Sequence, residues 1–195
     1  LGKVHQAVRE RAPEWAVLQP SWFMQNFVEG LHAASIRDEG TIVTATGSGQ
    51  LSNSVPATAS AVPGVSATTA FYGGPFEFQN SLTRLTAVST AHLADTVILR
   101  MTAGTPAALS RGELLIDSTT ARAKHLSVGG TVRARFALTG PAVLRIGGIY
   151  EANALIGSYL VSAGFFLAHF PPQPPGGLLL RTGGSSAVNS AVTRA

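Results

Sequence analysis

The chain contains no cysteine among its 195 residues. This absence excludes disulfide bonds, zinc sites built from thiolates and cysteine nucleophiles. Charged side chains are also scarce, at 12% of residues, where about 25% is usual. The net charge of +4 comes from basic residues spread thinly along the chain, whereas nucleic-acid-binding domains concentrate them in a patch or stripe. We therefore predict no nucleic-acid partner.

Sequence patterns for hydrolytic catalysis are missing as well. A serine hydrolase needs a G-x-S-x-G turn, and the glycine-serine pairs that begin at Gly157 and Gly184 lack the second glycine. The acidic residues that could act as paired catalytic carboxylates fall in separate predicted elements and are expected to be helix caps or surface groups: Asp95, Glu113, Asp117 and Glu151. We predict no catalytic residues and no enzymatic activity.

Patterns for metals and dinucleotides are absent too. The histidines, which are the usual ligands and bases near neutral pH, occur at neither H-x-x-x-H nor H-E-x-x-H spacing: His5, His32, His92, His125 and His169. A dinucleotide site needs a glycine-rich turn between a strand and a helix, but residues 47–49 (G-S-G) follow a helical pattern instead. No metal and no cofactor is predicted.

The stretch most easily mistaken for a membrane span, residues 154–170, carries no formal charge but is shorter than the about 20 residues that a membrane-spanning helix needs. Ser158, Ser162 and His169 also interrupt it, so we predict a strand followed by a short helix. A helical pattern of apolar and polar residues begins in the first residues of the sequence. The sequence therefore predicts neither a signal peptide nor a transmembrane helix.

Residues 112–162 contain the clearest local signals. Asp117, followed by Ser118 and Thr119, predicts a helix cap. Residues 131–136 alternate apolar and polar side chains after Gly129-Gly130 and before a turn at residues 139–141, which indicates a β-hairpin whose second strand carries Val143, Leu144 and Ile146. The arginines of the hairpin are expected to be solvated residues on strand faces. The alternative is that Arg133, Arg135 and Arg145 form a small basic patch across one hairpin face, directed at anionic lipid or a partner.

The segment before this module is expected to form strands. Residues 71–78 alternate aromatic side chains, and Gly73-Gly74-Pro75 predicts a turn that breaks the strand there. A further strand is predicted at residues 85–88.

Several motifs in this half of the chain resemble the extracytoplasmic core domain of FtsX-like and MacB-like ABC transporter permeases. Those domains read "strand, S-x-x-x-A, L-x-V-G-D-x-V, two strands, V-x-G-I-Y-x-x-N, L-x-x-Y-L-V-S", and residues 114–121, 126–132 and 146–162 follow that order. Gly130 stands where the family usually has aspartate. Residues 61–66 (A-V-P-G-V-S) resemble the family's helix end entering a strand, and residues 169–171 (H-F-P) resemble its turn before a returning strand at 178–181.

The permease resemblance implies a non-catalytic domain on the extracytoplasmic face of the cell membrane. Its partners would be a cytoplasmic ABC ATPase subunit, the permease's own transmembrane helices, which this sequence does not contain, and an extracytoplasmic protein or a lipid surface. Its role would be docking of a partner or substrate and mechanical coupling to the ATPase.

A second resemblance covers the first 50 residues. The run E-W-A-V-L-Q-P-S-W-F-M-Q-N-F at residues 14–27 resembles NmrA-like members of the short-chain dehydrogenase/reductase superfamily, with Gln19 in place of the usual arginine. That resemblance implies, as an alternative, an NAD(P)-binding reductase or redox-sensor fragment in which Pro20, Phe23 and Asn26 lie near the nicotinamide.

The fold that these patterns predict is α+β. It consists of a small, mostly antiparallel, β-barrel-like subdomain at about residues 82–161. A split β-α-β layer, made of residues 65–71, residues 178–181 and a final helix from 185, lies beside it. An N-terminal helix-strand-helix appendage is expected at residues 1–50. A linker follows at residues 51–58, and the permease-like domain at residues 59–195 is expected to be truncated in its last helix.

Overall fold

The computed structural model describes residues 41–44 and 53–182. Four short α-helices, one 3₁₀ helix and nine strands lie within these ranges. In chain order they are β1 (Thr41–Thr44), α1 (Val55–Ser60), β2 (Val65–Phe78), β3 (Ser81–Val88), α2 (Leu93–Thr96), β4 (Met101–Gly104), the 3₁₀ helix (Pro106–Arg111), β5 (Leu114–Asp117), α3 (Ser118–Ala123), β6 (Thr131–Phe136), β7 (Gly140–Tyr150), β8 (Tyr159–Ser162), α4 (Ala163–His169) and β9 (Gly177–Thr182).

The described strands form one mixed sheet in the order β1-β9-β2-β3-β8-β5-β7-β4. The pairs β3–β8 and β5–β7 are parallel, and the other pairs are antiparallel. Strand β6 pairs with β7 along its length and with the end of β2 only at Glu77 and Phe78. The sheet therefore curls back on itself, and only these two residue pairs close the ring of strands β2, β3, β8, β5, β7 and β6.

The predicted α and β content and the mostly antiparallel pairing are confirmed, and residues 65–71 pair with residues 178–181 as predicted. The barrel-like part and this layer, however, belong to one sheet. The physical reason is the length of β2, which has 14 residues. Its first half pairs with β9 and its second half with β3 and β6. One continuous sheet thus joins the two parts. Residues 1–40 and the predicted final helix lie outside the described residues.

The predicted turn at Gly73-Gly74-Pro75 is also wrong, because β2 runs straight through it and turns only at Gln79 and Asn80. The glycines serve close packing instead. A Cβ on Gly74 would lie 3.0 Å from the Phe170 ring, so a side chain there would push the ring a few tenths of an ångström off the strand.

Other local predictions are confirmed. Strand β6 alternates exposed and buried residues at every position, and Gly129 has the positive φ of 88° that its turn requires. Residues 159–169 form a strand followed by a short helix. None of the helices in the described part of the chain has both the length and the apolar character needed to cross a bilayer.

Two features bear on the predicted boundaries. Strand β1 belongs to the predicted N-terminal appendage and pairs with β9 from Thr41↔Arg181 to Thr44↔Leu178. Helix α1 begins inside the predicted linker, and the chain then enters β2 through Gly64, as the helix-to-strand motif predicts. The division into residues 1–50, 51–58 and 59–195 stays a prediction.

The core inside the curled part of the sheet is aromatic. Phe76 stacks on Phe136 with ring centroids 5.9 Å apart, and the edge-on Tyr159 ring lies 5.4 Å from Phe76. Phe166 and Phe170 of the α4 region stack at 4.1 Å over the same cluster. Such rings bury large apolar areas, so this cluster holds the curl of the sheet in place.

Candidate docking surface

The exposed side of the β6–β7 hairpin carries the arginines of the basic-patch alternative. Arg133 and Arg135 alternate with buried residues on β6, and Arg145 occupies an exposed position on β7. The register pairs Thr131 with Arg145 and Arg133 with Val143. Because directly opposed residues share a sheet face, all three arginines lie on one outer surface, as that alternative requires.

Strands β2 and β3 extend this surface. Glu77 is opposite both Leu82 of β3 and Arg135 of β6, and Arg135 is opposite Pro141. One row of outward-facing residues therefore crosses four strands. Two residues back along β2, Pro75 faces the exposed Arg84. We call this surface the arginine face: Glu77, Leu82, Arg84, Arg133, Arg135, Val143 and Arg145.

The sequence interpretation found only part of the arginine face. Leu82, Arg84 and Glu77 were missed because the expected turn in β2 hid the pairing of this strand with β6. One usable signal existed, since Glu77 stands between the buried Phe76 and Phe78, and such alternation predicts an outward side chain.

Positive charge dominates the arginine face, which has four arginines and one carboxylate. Arg135 Nε lies 3.5 Å from Glu77 Oε2, so the opposite charges of these two side chains compensate each other. Glu113, close to Arg145, is bound by Arg111 at 3.0 and 3.2 Å. The hydrogen bond from Arg111 lowers the pKa of Glu113. The face therefore keeps an excess of positive charge that no carboxylate within it balances.

Apolar side chains stand between the arginines. Leu82 is 80% exposed and Val143 is 68% exposed, and both lie in rows that contain an arginine. Isolated exposed apolar residues are common. Here, however, they are interleaved with arginine, and arginine is enriched at protein interfaces.

The tip of the hairpin is fixed to α4. Leu138 donates its backbone N–H to the His169 carbonyl at 3.1 Å, and Thr139 Oγ1 lies 2.5 Å from His169 Nδ1. The imidazole packs on Phe165 at 4.2 Å and on Phe136 at 4.8 Å. Burial lowers the pKa of His169. These contacts hold the arginine face as a fixed surface.

The other titratable candidates form local pairs rather than one site. His92 Nδ1 lies 3.2 Å from Asp95 Oδ2, and the Arg100 guanidinium lies 3.9 Å from Glu151. His125 is exposed with a φ of 52°. In the part of the chain that the structure describes, no three histidine or carboxylate side chains come together as metal ligands. His5 and His32, like Pro20, Phe23 and Asn26 of the alternative, lie outside that part.

An open groove of about 590 Å³ lies where α3 meets β4 and β7. Its lining is Thr102, Ser118, Ala121, Arg122, His125, Leu126 and Ile149. Its basic side chains, Arg122 and His125, are exposed, and they form no arrangement suited to acid-base chemistry.

Asp117 caps helix α3, as predicted. Its Oδ1 accepts hydrogen bonds from the backbone N–H groups of Thr119 and Thr120 at 2.9 and 3.0 Å. Burial alone would raise the pKa of this carboxyl group. Hydrogen bonds from Thr120, Ser158 and Thr119 outweigh that effect, so the pKa is lower than the usual 3.8. The carboxylate is thus a structural group that favours the folded state.

Replacing Asp117 with alanine is expected to lower the free energy of unfolding by about 1–2 kcal/mol, measured by urea denaturation at neutral pH. An asparagine side chain also caps helices well, so Asp117→Asn is expected to cost less. Because the folded-state pKa is depressed, the contribution of the carboxylate is complete above pH 3.8 and is lost as the pH falls through the folded-state value. Equal acid sensitivity of wild type and Asp117→Asn would contradict this role.

The chain resembles solved structures of transporter domains. They include the extracellular domain of the noncanonic ABC-type transporter YknZ from Gram-positive bacteria (TM-score 0.57, 13% identity, 78% of this chain and 86% of that one), the periplasmic region of MacB from Actinobacillus actinomycetemcomitans (0.58, 16%, 87% and 87%) and a domain of a putative permease protein from Porphyromonas gingivalis (0.53, 19%, 79% and 76%). The chain shares their fold. The expectation of a permease-type extracytoplasmic domain fold is thereby confirmed.

Sequence comparison gives a different and shorter match. No family model matches the chain. Over 50 residues the chain is 60% identical to the uncharacterized oxidoreductase YesF of Bacillus subtilis, a stretch that covers 26% of this chain and 17% of that protein. The chain thus spans less than a fifth of that relative. The match is consistent with an oxidoreductase-like fragment.

Proposed function

We propose that this chain is a non-catalytic extracytoplasmic domain of an ABC transporter permease of the FtsX/MacB type, which docks a partner or substrate and couples its own motion to a cytoplasmic ATPase. The observation that carries the proposal is the fold, which is shared with extracellular or periplasmic transporter domains over 78–87% of this chain.

The sheet suits mechanical coupling because one strand runs from end to end. Thr182 pairs with Val65, the first residue of β2, and Thr41 pairs with Arg181. Glu77 lies twelve residues further along β2, which is about 40 Å at 3.3 Å per residue. In the permease architecture, membrane helices flank the domain. The β1–β9 end would then be proximal to the membrane, and the arginine face would lie at the distal end.

The experiment that tests this function is isolation of the protein from detergent-solubilised membranes of its own host, with mass spectrometry of what accompanies it. We expect a stoichiometric ABC ATPase subunit that remains bound through washing. Recovery in the cytosolic fraction without an ATPase would contradict the proposal. A strain expressing an unrelated tagged membrane protein at the same level controls for abundant ATPases.

The oxidoreductase-like stretch favours a second candidate, an NmrA-like NAD(P)-binding fragment. A ligand that binds only the native state raises the melting temperature. We expect NADP to leave the melting temperature of the chain unchanged, because a dinucleotide site requires a glycine-rich turn that the sequence lacks. Thermal denaturation with ATP as the control nucleotide measures this. An increase specific to NADP would favour the second candidate.

A further inference from the structure

We infer that the arginine face binds an acidic segment of an extracytoplasmic partner protein, an inference that rests on the proposed function and names the chemistry of the partner. Four arginines share this surface with one carboxylate, that of Glu77. Complementary charge gives specificity and fast association at interfaces. The surface therefore selects a partner of negative charge.

The arginines differ in their freedom to bind. Arg135 is held by Glu77 at 3.5 Å. The Arg84 guanidinium lies against the strand, where a Cβ on Gly73 would be 3.0 Å from its Nη2. Arg84, Arg133 and Arg145 make no ion pair within residues 41–44 and 53–182, and Arg145 is attracted by the nearby Glu113. We assign the main contacts with the partner to Arg133 and Arg145.

The spacing of these two arginines suits a regular acidic segment. Arg133 and Arg145 are diagonal neighbours across the hairpin, a relation that separates the residues by about 7–8 Å. Carboxylates two residues apart on an extended chain are about 7 Å apart, and those one helical turn apart are about 5–6 Å apart. Leu82 and Val143 supply exposed apolar contacts beside the charges.

The position of the face favours a protein over the membrane surface. About 40 Å of strand β2 separates Glu77 from the β1–β9 end, where the proposed function places the membrane. Charges in salt solution act over about 8–10 Å. This length of strand is several times that range, so the proposed function places Arg133 and Arg145 away from the lipid headgroups of the anchoring membrane.

The test measures binding of the purified full chain to a fluorescein-labelled polyglutamate peptide by fluorescence anisotropy. We expect saturable binding at low salt that weakens as salt rises. Arg133→Glu and Arg145→Glu are each expected to raise the Kd by at least about tenfold. The matched control is Arg100→Glu, which makes the same change of charge at an exposed arginine outside the arginine face. It is expected to change the Kd by less than about twofold.

A third variant changes the affinity in the opposite direction. Glu77→Gln removes the carboxylate of the face and releases Arg135 from its ion pair. It is expected to lower the Kd about threefold, which loss of folding cannot imitate. Circular dichroism checks that each variant keeps the native fold.

Three results would overturn the inference: no binding at low salt, equal weakening by Arg100→Glu, or arginine-dependent binding to vesicles of phosphatidylglycerol and phosphatidylcholine in place of the peptide. The first two remove the arginine face as a docking site, and the third assigns it to lipid. The assay needs no ATPase. A negative result in the peptide assay would therefore rule out the arginine face as a docking site without contradicting the membrane co-isolation of an ATPase. The two proposals can thus be refuted independently.

Discussion

Replacing Phe76 with alanine is expected to lower the free energy of unfolding by about 3–5 kcal/mol. The Phe76 side chain is 1% exposed and contacts the rings of Phe78, Phe136 and Tyr159. These residues come from three strands, β2, β6 and β8, so the ring joins parts of the sheet that are far apart in sequence. Truncation leaves a cavity that strands on several sides would have to move to fill.

Urea denaturation followed by circular dichroism measures this effect. Leu82→Ala is the matched control, because Leu82 is a strand residue whose side chain is 80% exposed; it is expected to change stability by less than about 0.5 kcal/mol. Phe76 lies directly beneath the row that carries Glu77 and Arg135. A cost below about 1 kcal/mol for Phe76→Ala would contradict an aromatic core under the arginine face.

The second large effect is expected at Gly147, where alanine should lower the free energy of unfolding by about 2–3 kcal/mol. The 3₁₀ helix and the start of β5 pack directly on this part of β7. A methyl group there would overlap Ala108 Cβ and the Glu113 carboxylate, and would lie 2.9 Å from Glu113 Cβ. Relief requires the 3₁₀ helix to shift or the Arg111–Glu113 pair to rearrange.

Gly164→Ala provides a control of opposite sign for Gly147→Ala. Gly164 lies in α4, and a Cβ there meets nothing within 4 Å. Alanine is favoured over glycine in a helix by about 1 kcal/mol, so Gly164→Ala is expected to stabilise the protein. Thermal and urea denaturation of both variants measure the difference. Equal effects of the two substitutions would contradict close packing at Gly147.

Local signals in the sequence predicted several elements because their causes are local. The Asp117 side chain itself caps the helix that follows it. The alternation of polar and apolar residues in β6 reflects which face of the sheet is buried. The turn expected at Gly73-Gly74-Pro75 failed for the opposite reason. The ring of Phe170, far away in sequence, packs closely on Gly74, and no local pattern contains that contact.

Only part of the candidate docking surface could likewise be predicted from the sequence. Alternation of buried and exposed residues along both strands allowed Arg133, Arg135 and Arg145 to be placed on one face from the sequence, although the chain turns at residues 137–139 and not at the predicted 139–141. The addition of Glu77 and Leu82 depends on two residue pairs between β2 and β6. Those pairs join strands that are distant in sequence, and only the folded sheet brings them together.

Labelling of an introduced cysteine in intact host cells tests most directly whether the chain acts outside the membrane. The natural sequence has no cysteine, so Ala137→Cys at the exposed hairpin tip gives a single reactive thiol. A membrane-impermeant maleimide should label this variant in intact cells, whereas Ala87→Cys, at a fully buried position, should stay unlabelled until denatured. Labelling of the Ala137→Cys variant only after cell lysis would contradict an extracytoplasmic domain.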